Sequence, residues 1–141
     1  MKTYLLIVAI MLLSACSALK PHNDADVRIN NIVWSVISYK GHSLNEADFS
    51  NGLPRISFNM KDGKISGTDG CNSFIGVAAY KGNNIKTGPI VSTKLACTST
   101  AVPGDFYAIL AADNLTWQFD DDNNLRLMVD GLQMMVLKER E

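Results

Sequence analysis

Apolar and polar positions alternate with a period of two in several stretches of the chain after residue 31. Ile32, Trp34 and Val36 share one face. From Arg55 to Met60, the side chains of Ile56, Phe58 and Met60 fall on one side, and those of Arg55, Ser57 and Asn59 on the other. This is the signature of a half-buried strand. Asp62-Gly63 signals a two-residue hairpin turn, with Lys64 to Thr68 as the return strand. Phe74 to Tyr80 predicts another strand, closed by Lys81-Gly82-Asn83-Asn84, and Ile90 and Val91 a short one. Leu115, Trp117 and Phe119 alternate with polar residues, as do Leu125, Leu127 and Val129. Asp130-Gly131 then turns the chain into Leu132, Met134 and Val136. One segment breaks the period: Phe106, Ile109, Leu110 and Asp113 fall at helical spacing after Pro103-Gly104, which predicts a short helix over 105–112. The expected fold is mainly β with one short helix, a small antiparallel β-barrel or half-barrel whose helix covers an open end or edge.

The first residues follow another pattern. Lys2 is a short positive start, Tyr4 to Leu13 is an unbroken apolar run, and Ser14-Ala15-Cys16 follows. The run is too short to span a bilayer as a helix. It has the build of a secretory leader. Leu13-Ser14-Ala15-Cys16 resembles the lipobox of bacterial lipoproteins, which implies cleavage before Cys16 and acylation of that cysteine. More than one acyl chain is what stable anchoring requires. Plain secretion with a free Cys16 is the rival reading. Residues 1–15 are thus expected to be a signal peptide, 16–30 a lipidated N-terminus and polar tether that includes His22, and 31–141 the folded domain. Ser17 after the cysteine, by resemblance to enterobacterial lipoproteins, points to the outer membrane, facing the periplasm.

Composition narrows the function classes. The 141 residues suffice for one domain, and the formal net charge is −1. The basic residues are spread singly, unlike the clustered Lys and Arg of a nucleic-acid binder. No nucleic-acid partner is expected.

Candidate chemistry is sparse. With Cys16 lipidated, Cys71 and Cys97 remain, and an even pair in an exported domain predicts a disulfide. Two free thiols, a catalytic thiol and a metal site are the alternatives. A catalytic thiol needs a nearby base, and the mature domain offers only His42, in a Gly-His-Ser loop. Two cysteines and one histidine, with no close pairing, make a poor zinc set. Asp120-Asp121-Asp122-Asn123-Asn124 invites a calcium reading. Counted from Asp120, however, an EF-hand would need Gly where Leu125 stands and Glu where Gly131 stands. A solvated turn is the better expectation. Asn114-Leu115-Thr116 matches a glycosylation sequon that a bacterial lipoprotein would not normally use. Met128, Met134 and Met135 read as core gap-fillers rather than soft-metal ligands. No metal, cofactor or catalytic residue is expected.

Gly67-Thr68-Asp69-Gly70-Cys71-Asn72-Ser73-Phe74-Ile75-Gly76 resembles a signature block of the META domain, the family of HslJ-like heat-shock lipoproteins. Ser92-Thr93-Lys94-Leu95-Ala96-Cys97 is similar to its second block. Trp34, the helix residues Phe106 and Leu110, and Leu125-x-Leu127 also fall where that family has counterparts. The chain departs from the pattern after Cys97, where Thr98-Ser99-Thr100 stand in place of acidic residues. The resemblance implies a compact β-rich domain with a packed helix, a link to heat or antibiotic stress, and no enzymatic activity or cofactor. Within the first block, Gly67 and Gly70 allow a tight or bulged path and Asn72 can bond the turn it sits in. Asn72 and Phe74 are the candidate binding residues. The function expected is that of a non-enzymatic envelope lipoprotein, held to the membrane by lipid. It would support envelope integrity or stress tolerance through a binding surface, with an unidentified envelope protein as partner. The alternative is a small-ligand carrier with a lipocalin-like cavity.

Overall fold

The computed structural model describes residues 28–97 and 104–141. The leader, Cys16, His22 and Thr98 to Pro103 lie outside the described residues. Nine strands follow in order: β1 Val33–Tyr39, β2 His42–Ser43, β3 Arg55–Asn59, β4 Lys64–Thr68, β5 Ser73–Lys81, β6 Asn84–Ser92, β7 Leu115–Phe119, β8 Leu125–Val129 and β9 Leu132–Glu139. One short helix, α1 (Phe106–Leu110), interrupts them, and a 3-10 turn spans Glu46–Asp48. Every named strand pairing is antiparallel. The strands run in the order β2-β1-β3-β4-β5-β6-β7-β8-β9, and β9 pairs back onto β1, closing the sheet into a barrel. The two-residue β2 is a flap on β1 outside this ring.

The interior is made by the inward half of each alternation. Trp34, Phe58, Ile56, Ile65, Ile85, Leu115, Leu125, Leu127 and Met135 are fully buried. Each such side chain contributes about 1.5–3 kcal/mol relative to exposure. Bulky residues thus occupy the space a ligand chamber would need. Among the described residues the core begins at Ile29, on the tether side of the boundary expected at residue 31. Ile29 is fully buried, and its carbonyl accepts a hydrogen bond from Trp34 Nε1 at 3.3 Å.

The weakest seam lies between β6 and β7, which share only the Asn84–Thr116 pair. Helix α1 packs beside that opening. Its Phe106, Ile109 and Leu110 are buried, and Leu110 O accepts a bond from Thr87 Oγ1 of β6 at 2.8 Å. At its other end, the Asp105 carboxylate accepts hydrogen bonds from Tyr39 OH (2.5 Å) and from Lys40 Nζ, both at the β1–β2 corner. The helix is therefore tied to both sides of the barrel end that it covers.

Three expectations need revision. The strand at Ile90-Val91 is nine residues long, Asn84–Ser92. Gly88-Pro89 interrupts its pattern, and proline is tolerated there because that stretch of β6 has no ladder partner on the β7 side. The Asp62-Gly63 turn is a four-residue loop, since Asn59 and Lys64 form the closing pair. Asn59 Oδ1 accepts from Asp62 N, and Gly63 takes positive φ. In β9 a bulge opposite Leu127/Met128 shifts the register, so Met135 and Leu137 point inward while Leu132 is exposed.

Candidate functional site

The block Thr68–Phe74, between β4 and β5, is built around one buried carboxylate. Asp69 is 8% exposed. Its Oδ1 accepts hydrogen bonds from the backbone N–H of Cys71 (2.9 Å) and Asn72 (2.6 Å), and its Oδ2 from Tyr107 OH of α1 (2.8 Å). Thr68 Oγ1 accepts from Gly70 N at 3.1 Å. Two glycines are required here. A Cβ on Gly67 would lie 1.9 Å from Arg55 O, so β3 and β4 approach too closely for any side chain. Gly70 has φ +89°, a conformation L side chains rarely adopt, and a Cβ there would meet the Phe49 ring at 2.4 Å.

Asn72 and Phe74, the candidate binding residues, both have internal partners. Asn72 Oδ1 accepts from Leu95 N (2.7 Å) and Thr93 Oγ1 (3.0 Å), while Nδ2 donates to Cys71 Sγ (3.3 Å). It clips the segment after β6 against the β4–β5 loop. Phe74 is buried, with edge-on ring contacts to Phe106 and Tyr107 at centroid distances of 6.0 and 5.6 Å. The Cys71–Cys97 disulfide is formed, with Cα atoms 6.1 Å apart, and staples the same two segments. The two signature blocks therefore meet in space as one structural knot.

The titratable groups around the knot are shaped by burial. Burial, then the hydrogen bond to Asp69 and its negative charge, push the Tyr107 hydroxyl up to about 12. Burial, then Asp105, push Tyr39 well above the ordinary tyrosine value. Burial raises Tyr80 to about 12, its hydroxyl donating to Lys64 O at 2.6 Å. The hydrogen bonds from Lys40, then Tyr39, hold the Asp105 carboxyl below its usual range. At neutral pH these tyrosines are neutral donors, not bases.

His42 is exposed on the β2 flap. Asp120 Oδ1 accepts from the N–H groups of Asp122 and Asn124, and Asn123 takes positive φ, so the acidic run is a turn held by its own first residue. Among the described residues no group of three or more His, Cys, Asp or Glu side chains is placed to hold a metal ion. No helix among them is long and apolar enough to cross a membrane.

The outer surface holds open clefts. One of about 390 Å³ is lined by Ser73, Phe74, Ile75, Val91, Ser92 and Thr93, beside the Asn72 clip. Another, of about 430 Å³, lies where β1, β3 and the end of β9 meet, with Arg55, Lys138 and Glu46 on its walls. The sequence pattern gave no warning that Ile75, Val77 and Val91 would all face outward. A continuous apolar run reads equally as a strand buried on both faces.

A family model described as the META domain matches residues 27–141. No curated protein sequence matches the chain. An NMR structure of a protein from Burkholderia xenovorans is similar, with a TM-score of 0.60 and 19% identity, covering 83% of this chain and 87% of that one. A second NMR structure matches with a TM-score of 0.63 and 18% identity over 79% of this chain and 92% of the other. At these identities the two structures speak for the fold alone.

Proposed function

This chain belongs to the META domain family, and we propose that it is a lipid-anchored envelope protein that works by binding through the outside of its barrel rather than by catalysis. The observation that carries this reading is the filled interior: Trp34, Phe58 and ten further large side chains are fully buried in it. A lipocalin-like carrier needs an apolar chamber of a few hundred cubic ångströms, which such packing opposes. What remains for a ligand or partner is the surface. The polar groups of the signature blocks also support a structural role. Asp69, Asn72 and Tyr107 spend hydrogen bonds on one another, on nearby backbone, and on the Thr93 hydroxyl and Cys71 sulfur.

The Leu13–Cys16 motif supports the anchor and a place in the bacterial cell envelope, and Ser17 after the cysteine supports the outer membrane. Support of envelope integrity under heat or antibiotic stress follows from the family resemblance.

The test combines chemistry and genetics. Intact mass of the native protein is expected to show a leaderless chain acylated at Cys16. A strain lacking the gene is expected to regain stress tolerance from the wild-type chain and from His42→Ala, but not from Cys16→Ser. Full rescue by Cys16→Ser, or loss of rescue in a folded, membrane-attached His42→Ala protein, overturns the reading.

A further inference from the structure

The outward face of β4, β5 and β6 is unlike the rest of the barrel. Ile75 sits directly opposite Val91, and Val77 directly opposite Lys64. Ile75, Val77 and Val91 are 50, 58 and 64% exposed. Gly88 leaves room for this patch: a Cβ there would lie 2.5 Å from Val77 Cγ2, so Val77 spreads over β6. Single exposed aliphatics are ordinary, but a contiguous group marks a contact surface.

Its rim is basic. Lys64 borders Val77, Lys86 stands opposite Ala79, Lys81 closes the hairpin opposite Asn84, and Lys94 follows β6. From Lys64 to Leu95 the sequence holds these four lysines and one acid, Asp69, whose carboxylate is buried and bonded within the knot. Two acids border the rim: Asp62, in the loop before β4, and Asp113, 3.8 Å from Lys86 in a solvent-exposed pair. Asp120 to Asp122, Glu139 and Glu141 belong to the β7–β9 side.

The chain approaches this face from the β7–β8 turn, where Arg28 Nη2 donates to Asn123 Oδ1 at 2.9 Å and its guanidinium lies over the Phe119 ring. Asn30 Oδ1 accepts from Met60 N at 2.9 Å, and Asn31 N donates to Phe58 O at 2.8 Å, so residues 30–31 lie along β3 at the loop that leads to Lys64. Cys16 is twelve residues before Arg28, a reach of about 40 Å at full extension.

We propose that the β4–β6 face rests on an anionic phospholipid surface, with Ile75, Val77 and Val91 at the headgroup boundary and Lys64, Lys81, Lys86 and Lys94 against lipid phosphates. An apolar centre ringed by lysines is the combination that interfacial binding uses. The charge complementarity selects this occupant over a second copy of the same basic face. The proposal rests on the envelope placement above, and its test separates the two.

Full chain purified from cells is mixed with vesicles of phosphatidylcholine alone, or of phosphatidylcholine and phosphatidylglycerol in equal parts. Flotation and the intact N-terminal mass report the anchor. Amine-reactive labelling read by mass spectrometry reports the face, with exposed Lys138 as reference. The expected result is an about threefold or greater drop in labelling of the four lysines on anionic vesicles only, reversed by high salt. Val77→Asp, a change at an exposed position, is expected to abolish that protection in a folded protein. A chain that floats while the four lysines label as on phosphatidylcholine overturns the docking, leaves the anchor standing and returns the face to an acidic protein partner. Protection on anionic vesicles without an acylated N-terminus upholds the docking and overturns the anchor. Neither protection nor acylation overturns both.

Discussion

Removing the Asp69 carboxylate is expected to unfasten the knot that joins the two signature blocks to the helix. Asp69→Ala leaves three donors without their acceptor: the N–H groups of Cys71 and Asn72 and the Tyr107 hydroxyl, now at 2.9, 2.6 and 2.8 Å. Hydrogen bonds to a charged group are worth about 1.5–3 kcal/mol each. They share one acceptor and water re-solvates part of the loop, so the total falls short of the sum. A loss of about 3–4 kcal/mol is expected. At this size that lowers Tm by roughly 12–16 °C. Tyr107→Phe removes one of the three bonds and keeps the ring against Phe74, so about 1.5–2 kcal/mol is expected. The informative quantity is the double-mutant cycle, measured by urea unfolding with the disulfide intact. In the Asp69→Ala background, Tyr107→Phe is expected to cost about 1 kcal/mol less than it does alone. Additive losses, within about 0.3 kcal/mol, would refute the claim that the carboxylate holds the helix through Tyr107.

Two further outcomes follow from the same region. Reducing Cys71–Cys97, whose loop encloses β5 and β6 with a sequence separation of 26, is expected to cost about 3.5 kcal/mol by loop-closure entropy; an unchanged urea midpoint in reductant would contradict it. Tyr80 and Tyr107 have folded-state values near 12, raised above the unfolded value near 10. Their neutral forms therefore favour the fold fully below pH 10, and that contribution fades as pH rises through 12. Ultraviolet titration should show tyrosinate appearing later in native than in urea-unfolded protein; coincident curves would contradict it.

Much of the fold was legible because antiparallel pairing with one wet face leaves a period-two trace. Trp34/Val36, Ile56/Phe58, Leu115/Trp117 and Leu125/Leu127 all point inward where that trace places them. Asp130-Gly131 makes its turn with both residues at positive φ, as the dipeptide implies. The α1 spacing predicted the buried face Phe106, Ile109 and Leu110. What escaped has local causes. Gly88-Pro89 hides most of β6, since neither residue reads as strand. The bulge in β9 reverses the parity that Leu132, Met134 and Val136 suggested, and bulges leave no mark in an apolar pattern. Ile29 stands between Arg28 and Asn30-Asn31, with no turn or run to mark it as strand, and only Trp34 and the β3 end reveal that it is core. At the site, the Gly-Cys-Asn and Thr-x-x-Ala-Cys blocks were visible as a pair. Their meeting through Asn72 and Asp69 was not, because Tyr107 and Leu95 are remote in sequence.

The pairing of β9 with β1 has a consequence for how the protein is made. Partners as far apart as Trp34 and Glu139 must find each other before the ring is complete. Until β9 emerges, a nascent chain carries two open strand edges, on β1 and on β8, with Trp34 and Leu125 beside them. Such edges are templates for pairing with other chains. Non-local closure of this kind is slow, because chain entropy is lost before the contacts repay it. The protein therefore has a vulnerable interval between synthesis and closure. A premature stop within β9 would prolong that interval indefinitely, turning a loss of only a few residues into an aggregation lesion.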